Sequence, residues 1–384
     1  MSAKINILFF GFTPNIASAT NLGLSGGEVR FFKILNKNSK KLDITCLGTK
    51  IWNTRLNANN IKHHWIPLHT NLTYKNQIDL FLKSILLIII HLRKIFLLND
   101  KKYVLYPSSD LFWETFPCML RKIFYPKDNY VQCIFHVYPN WKKRSGNMLI
   151  NFFGFTIQKI SHFFIKHFAD TVVVINPLTK QTLIKLGFDS RKIYLNYCGF
   201  DSINYKPTTK TIDAISISRI QPSKGIHNII KTWYLVVQKR KNAKLIIIGG
   251  FQKDSYYLEL QKFIKVNKLT KNITMKGYVA EKLKQQQISK SRIFLSCSTE
   301  EGFNISILEA LAHKLWVIAF KLPVYTSIFK KNIIQVKHSP ETMAKTVLAQ
   351  LKSNLNNNIK TNFLQQFNWD KIAQKEYEIF NAKS

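Results

Sequence analysis

Two carboxylates and two cations, set in loops that open helices, are the residues of this chain best suited to chemistry. The run Glu300-Glu301-Gly302-Phe303-Asn304-Ile305 leads into an apolar stretch that holds Glu309 on its first turns. A glycine in such a loop permits close approach of the backbone to a ligand. The unpaired N–H groups at the start of a helix over 305–313 can hold a phosphate without a metal. Glu309 can accept hydrogen bonds from ribose hydroxyls, and Glu301 from sugar hydroxyls. Upstream, Ser218-Arg219-Ile220-Gln221-Pro222-Ser223-Lys224-Gly225 lies between two apolar runs, so Arg219 stands at a strand end and Lys224 just before a helix. Both cations can converge on one diphosphate at the carboxyl edge of a sheet. Two glutamates around a turn are by themselves an ordinary capped helix; the two segments together point to a site for phosphate and sugar.

Strands and helices in alternation are needed to hold these residues. Apolar runs at 214–218, 244–248, 273–276, 293–296 and 316–320 read as buried strands. Between them Ile226, Ile229, Ile230, Trp233, Val236 and Val237 recur at helical spacing, and 257–266 and 305–313 form further helices. Strict alternation implies a parallel sheet wrapped by helices. The first half follows the same logic less regularly, with strands at 5–10, 103–106, 131–135 and 171–175 and a helix over 28–35. The fold class is therefore α/β: two Rossmann-like doubly wound domains facing a central cleft, with ligands beyond the carboxyl ends of the strands. The join falls near 201–211, where Asn204 and Pro207 interrupt both periodicities.

Composition sets the bounds. A chain of 384 residues exceeds one ordinary core and fits two domains. With 57 Lys+Arg against 21 Asp+Glu, the formal charge is +36, a field that attracts nucleic acid, anionic membrane or phosphorylated small molecules. A Lys-, Asn- and Ile-rich bias from an AT-rich genome would give the same excess. Cys46, Cys118, Cys133, Cys198 and Cys297 stand far apart and read as reduced, buried thiols rather than a zinc site. Lys4, the apolar run 5–12 and the small residues Ala17–Ala19 read as a first strand and loop rather than a signal peptide. The longest apolar stretch, 84–92, falls short of a membrane span.

On these residues the chain resembles the retaining glycosyltransferases of the GT-B fold, family 4, over nearly its whole length. The resemblance implies that Arg219 and Lys224 bind the donor diphosphate. Glu301 and Glu309, which fit its Glu-x7-Glu pattern, would contact the sugar and the ribose. It places Gly302, Phe303, Asn304 and Ile305 in a phosphate and sugar loop, and Gly277-Tyr278-Val279 at the turn whose backbone meets the nucleobase. Phe367-Asn368-Trp369-Asp370-Lys371-Ile372 resembles the final helix that crosses back to the N-terminal domain. Gly26-Gly27-Glu28 resembles the glycine pair where acceptor and donor approach the backbone, although the same residues also suit a plain loop-to-helix junction. His136, after strand 131–135, stands where the family often places a histidine facing the donor sugar. The implied boundaries are 1–205 for an acceptor-binding domain, with 366–384 packing back on it, and 206–365 for a donor-binding domain. Asn304 replaces a common glycine, and Lys314 and Trp316 replace a usual Gly and Pro. A lysine in a left-handed cap costs about 1 kcal/mol.

The implied reaction breaks a sugar–phosphate bond and passes the sugar to an acceptor hydroxyl with retained configuration. Arg219, Lys224 and the helix start near Ile305 stabilise the leaving charge in place of a metal, so no cofactor is expected. Glu301 and His136 flank the oxocarbenium-like sugar. From 129 to 169 there is no acidic residue, and Lys142, Lys143, Arg144, Lys159 and Lys166 alternate with Phe152, Phe153, Phe155, Phe163 and Phe164. The stretch 78–98 adds an apolar run followed by Arg93 and Lys94. These segments suit contact with an anionic bilayer, or core helices with solvated lysines. The first reading gives a cytoplasmic enzyme held peripherally at the inner face of the membrane, acting on a glycan or a polyprenyl-phosphate-linked acceptor. Two other classes stay open. One is a catalytically inactive relative that binds glycan or nucleotide-sugar. The other is a nucleic-acid-binding protein, which would suit the charge but has no need of Glu301 and Glu309 beside Arg219 and Lys224.

Overall fold

The computed structural model describes residues 3–16, 24–70, 72–98, 101–144, 147–201, 208–353 and 361–382. Asn204 and Pro207 at the expected join, the boundary at 205/206, and Ala17–Ala19 lie outside the described residues. The chain divides into two compact units. One holds the N-terminal strand, 24–199 and the chain from 369 onward; the other holds 200–368.

In the second unit six parallel strands lie in the spatial order Ile273–Met275, Leu245–Ile248, Ile212–Ile217, Ser291–Ser296, Trp316–Phe320, Ile334–Val336. Runs such as Leu245-Ile246-Ile247-Ile248 show no alternation because helices cover both faces of the sheet. Helix Ile226–Lys239 buries Ile226, Ile229, Ile230, Trp233 and Val236 against it, each contributing roughly 1.5–3 kcal/mol by leaving water. Numbered along the unit, the order is 3-2-1-4-5-6. The winding reverses between Ile212–Ile217 and Ser291–Ser296. The connections after these neighbouring strands lead off in opposite directions and leave a crevice at their carboxyl ends. Arg219 and Lys224 follow the first of these strands; Glu301 and Glu309 follow the second. Both strands end a few residues before the charged groups, at Ile217 and Ser296, so the charges ride on loops and a helix start. Phe200 and Asn368, at the two ends of this unit, pair side by side in a parallel bridge.

The first unit repeats the pattern with seven parallel strands, ordered His64–Pro67, Leu42–Gly48, Ile5–Gly11, Val104–Leu105, Asn129–Ile134, Thr171–Val174, Ile193–Leu195. The run after Lys4 is thus an interior strand of this sheet, Ile5–Gly11. Helix Gly26–Lys37 packs against the late helix Trp369–Asn381 through a fully buried ion pair, Arg30 to Glu376 at 2.7 Å, both side chains 0% exposed. Tyr106 Oη and Asn196 Nδ2 also donate to that carboxylate, at 2.8 and 2.6 Å. Burial alone would raise the Glu376 carboxyl, but Arg30 and these hydrogen bonds hold it below the usual carboxylate range. Removing one partner of such a pair costs about 3–5 kcal/mol, because the other charge is left buried.

Helices Gln77–Ile90, Phe112–Phe124 and Met148–Phe168 pack side by side, joined by the rings of Phe81, Phe112, Phe116 and Phe164. Met148–Phe168, at 21 residues, is long and apolar enough by length and composition to cross a membrane. A search for the longest uninterrupted apolar run stops at 84–92 and passes over the length of this helix, because its polar residues Asn151, Gln158, Ser161 and His162 are dispersed along one face. All five cysteines are buried and unbonded.

Candidate functional site

The loops after Ile212–Ile217 and Ser291–Ser296 are locked together by backbone geometry. A short 3-10 turn, Pro222–Lys224, ends at Gly225, whose φ of 63° lies in the left-handed region. A Cβ at Gly225 would lie 2.1 Å from the carbonyl oxygen of Cys297, so only glycine lets the two loops meet. Thr299 N–H donates to Ser223 O at 2.9 Å across the same seam. The result sets Lys224 Nζ 2.7 Å from Glu301 Oε1, and Ser298 Oγ donates to the same oxygen at 2.9 Å. Arg219, half-buried, has no acidic partner among the described residues.

Asn304 takes up the conformation that a glycine would otherwise supply, with φ 77° and ψ 79°. Asparagine tolerates this region better than most side chains. Its amide is turned into the unit, donating to Tyr325 Oη at 2.9 Å, and Tyr325 is fully buried. The side chain therefore braces the loop, and the helix Ile305–Ala312 starts directly after it. The ring of Phe303 is also committed inward, against Phe329 and Phe367, so only its backbone can meet a ligand. At the far end of this helix Lys314 holds φ 59°. Lys314 N–H bonds to Leu311 O and Leu315 N–H to Ala310 O, the paired bonds of a Schellman cap. The turn keeps its geometry with lysine in the place of glycine.

Glu309 meets a partner that sequence reasoning missed. Lys284 Nζ lies 2.8 Å from Glu309 Oε1 and 2.9 Å from Glu281 Oε2. Burial pushes the Glu309 carboxyl up from its ordinary value, against the pull of Lys284. For Lys284 burial works downward, but Glu309 and Glu281 outweigh it and the ammonium is held above its usual range. Lys284 sits on helix Glu281–Ser289, one turn before the buried Ile288, and that spacing was the available sign that it points inward. Gly277 lies at φ 67° beyond strand Ile273–Met275, with its carbonyl bound to Gly249 N–H and the Tyr278 ring exposed.

The remaining candidates belong to the first unit. Gly26 and Gly27 open helix Gly26–Lys37 behind Ser25, whose hydroxyl and backbone form a full capping box with Glu28. A Cβ on Gly27 would come within 3.1 Å of the Phe135 ring. Glu28 also pairs with Arg55. His136 follows strand Asn129–Ile134, and its segment is clamped by Gln158. The amide of Gln158 donates to His136 O at 2.7 Å and to Asp110 Oδ2 at 3.0 Å, while its oxygen accepts from Tyr138 N–H at 2.8 Å. His162 Nε2 lies 3.1 Å from the same Asp110 oxygen.

Residues 201–366 match the family model described as glycosyl transferases group 1. The poly(ribitol-phosphate) alpha-N-acetylglucosaminyltransferase of Staphylococcus aureus is 27% identical over 176 residues, 43% of this chain and 34% of that protein. The poly(glycerol-phosphate) alpha-glucosyltransferase of Bacillus subtilis is 31% identical over 107 residues, 28% of this chain and 15% of that protein. The chain thus spans 34% of the length of the first of these relatives and 15% of the second. Anabaena HepE, solved in complex with UDP and glucose, superposes with a TM-score of 0.75 at 15% identity, covering 98% of this chain and 100% of that one. Staphylococcus aureus TarM, solved with alpha-GlcNAc-glycerol and UDP among its ligands, gives 0.61 at 19% identity over 78% of this chain and 59% of that one. At these identities the likeness shows a shared fold.

Proposed function

From its GT-B fold and the match of residues 201–366 to the model for glycosyl transferases group 1, we propose that this chain transfers a sugar from a nucleotide-sugar to an acceptor hydroxyl. The observation that supports this best is the placement of Arg219, Lys224, Glu301 and Glu309 at one switch point, within the part of the chain that matches the family. We take the donor to be a UDP-sugar, as in the complexes of HepE and TarM. The acceptor is a glycan or a polyol-phosphate or polyprenyl-phosphate-linked chain. The named acceptors of the two bacterial relatives support a phosphate-rich polymer, and a formal charge of +36 suits one.

In the proposed mechanism the donor replaces an internal ion pair. Lys224 is held on Glu301 at 2.7 Å; a diphosphate arriving beside Arg219 offers it a stronger anion. Its transfer frees Glu301 to accept hydrogen bonds from sugar hydroxyls. Arg219, Lys224 and the N–H groups at Ile305 then meet the negative charge that grows on the leaving nucleoside diphosphate, the place where fixed donors lower a barrier most. Glu309 receives the ribose hydroxyls once Lys284 gives way. Retention, family 4 membership and independence of metal are assigned on the resemblance, as are the roles of His136 toward the sugar and of Gly26 and Gly27 toward the acceptor.

Thermal unfolding of the whole chain with UDP-, GDP- and ADP-sugars tests this directly. A donor at a hundred times its Kd stabilises by about 2.7 kcal/mol. The expected result is an upward shift with a UDP-sugar that Arg219→Ala abolishes. No shift with any nucleotide-sugar would overturn the proposal.

A further inference from the structure

The first unit presents an apolar face that its own core does not use. On helix Gln77–Ile90, Ile78, Leu82, Leu86 and Ile89 recur every three or four residues as one exposed stripe, while Ser84, Leu87 and Ile88 are buried behind them. Met148–Phe168 repeats the arrangement: Leu149, Phe152 and Phe163 are exposed, and Asn151, Ile157, Ser161, His162 and Ile165 are buried. Leu82 is 59% exposed, Ile89 64% and Leu149 76%, values a soluble domain rarely gathers on adjoining helices. The helices do adjoin, since Phe81 and Phe153 meet edge to face at 5.2 Å.

Cations rim this surface. Trp141 packs edge to face on the exposed Phe152 at 5.3 Å, and Lys142 Nζ lies 5.3 Å from the Trp141 ring centroid. Lys159 Nζ lies 4.6 Å over the Phe155 ring. No acidic residue occurs from 80 to 98 or from 129 to 169. Asp79 at the start of the first helix is neutralised by Lys83 at 2.9 Å. An apolar stripe with tryptophan and lysine at its margin is the pattern of a helix lying in the headgroup region of an anionic membrane.

We propose that these two helices dock the first unit onto an anionic lipid bilayer, lying along its surface. Crossing it is disfavoured by the inner side of Met148–Phe168. Gln158 and His162 are bound there to Asp110, and withdrawing the helix into hydrocarbon would leave all three unsatisfied. A second copy fits this face less well, because a two-fold contact would gather two sets of the same cations, and 129–169 holds no acidic residue to pair them.

Flotation of the full chain with phosphatidylcholine vesicles, with and without phosphatidylglycerol, tests the proposal. No sugar donor is present, so the outcome is independent of the transferase reading. Binding to the phosphatidylglycerol vesicles is expected. A Leu82→Ser, Leu149→Ser, Phe152→Ser variant should lose about tenfold or more in partitioning while keeping its circular dichroism. Lys142→Gln with Lys159→Gln should remove the preference for anionic lipid. Should the triple variant misfold, brominated acyl chains supply a second measurement: they should quench tryptophan emission in the unaltered chain and quench Trp141→Phe less. The proposal is overturned if the chain ignores anionic vesicles at low salt, if the folded triple variant binds undiminished, or if quenching is the same without Trp141. It is equally overturned if the face holds a dimer that the triple variant dissolves.

Discussion

Replacing Lys284 with methionine isolates the ion pair that the charged-loop reading did not foresee. The two side chains are 18% and 13% exposed and stand 2.8 Å apart. Opposite unit charges about 4 Å apart attract by about 4 kcal/mol at an effective dielectric of 20. Removing one partner of a fully buried pair costs about 3–5 kcal/mol. Each side chain here keeps an edge in water, so a loss of about 2–3 kcal/mol at pH 8 is expected. The stranded carboxyl can escape that cost by binding a proton. Burial already pushes Glu309 up from its ordinary 4.5, and without Lys284 the rise grows. A carboxyl whose folded pKa is raised favours folding below its unfolded pKa and loses that contribution as pH climbs through the folded one. The defect should therefore shrink at pH 5. Cys297, a buried thiol and the cysteine of the second unit, reports the opening of that unit alone when labelled in urea. The set to compare is wild type, Lys284→Met, Glu309→Gln and the double variant, at both pH values. A coupling of about 1–3 kcal/mol at pH 8, smaller at pH 5, is the expected result. Equal destabilisation at both pH values, or strict additivity at pH 8, would refute the reasoning.

Glu114 is fully buried, accepting from Ser108 Oγ and Ser109 N–H, and burial pushes its carboxyl up to about 8 despite those donors. Folding then takes up a proton between pH 4.5 and about 8, so stability falls as pH rises through that window. Glu114→Gln should flatten the pH dependence of the urea midpoint of the first unit; an unchanged slope would count against the assignment. Gly225→Ala should push the Lys224 loop off the Cys297 carbonyl and weaken nucleotide binding by calorimetry about tenfold or more, with secondary structure kept. Unaltered affinity would show that the seam does not set the site.

The second unit was largely legible because its strands are continuous apolar runs that end in charged or glycine-bearing loops. Leu245–Ile248 and Trp316–Phe320 need only burial on both faces to be recognised. In the first unit Leu42–Gly48 and His64–Pro67 escaped notice. Asp43 interrupts the one, and the other is an edge strand with exposed His64 and Trp65, ending in proline. The site shows the same division. Arg219, Lys224, Glu301 and Glu309 are visible because spacing alone sets them at loop and helix starts. Lys284 was not, because a lysine in a polar helix reads as solvated until its turn is aligned with Ile288. The basic, aromatic helices had two readings, and burial alone separates their faces without deciding what meets the outer one. Leu87, Ile157 and Ile165 are core, while Leu86, Phe152 and Phe163 are surface.

Arg30 and Glu376 are 346 residues apart in the chain. A ribosome adding about 5–20 residues per second needs roughly 17–70 s to travel from one to the other. Through that interval the guanidinium at the heart of the first-made body waits without its carboxylate. The continuous stretch 200–368 meanwhile emerges with every strand of its own sheet. Birth order and completion order are thus reversed: the body begun first is finished by a helix made after the second body. A nascent chain halted before Glu376 would display one closed domain beside one still unfinished, a state that chaperones and proteases can tell from the finished protein.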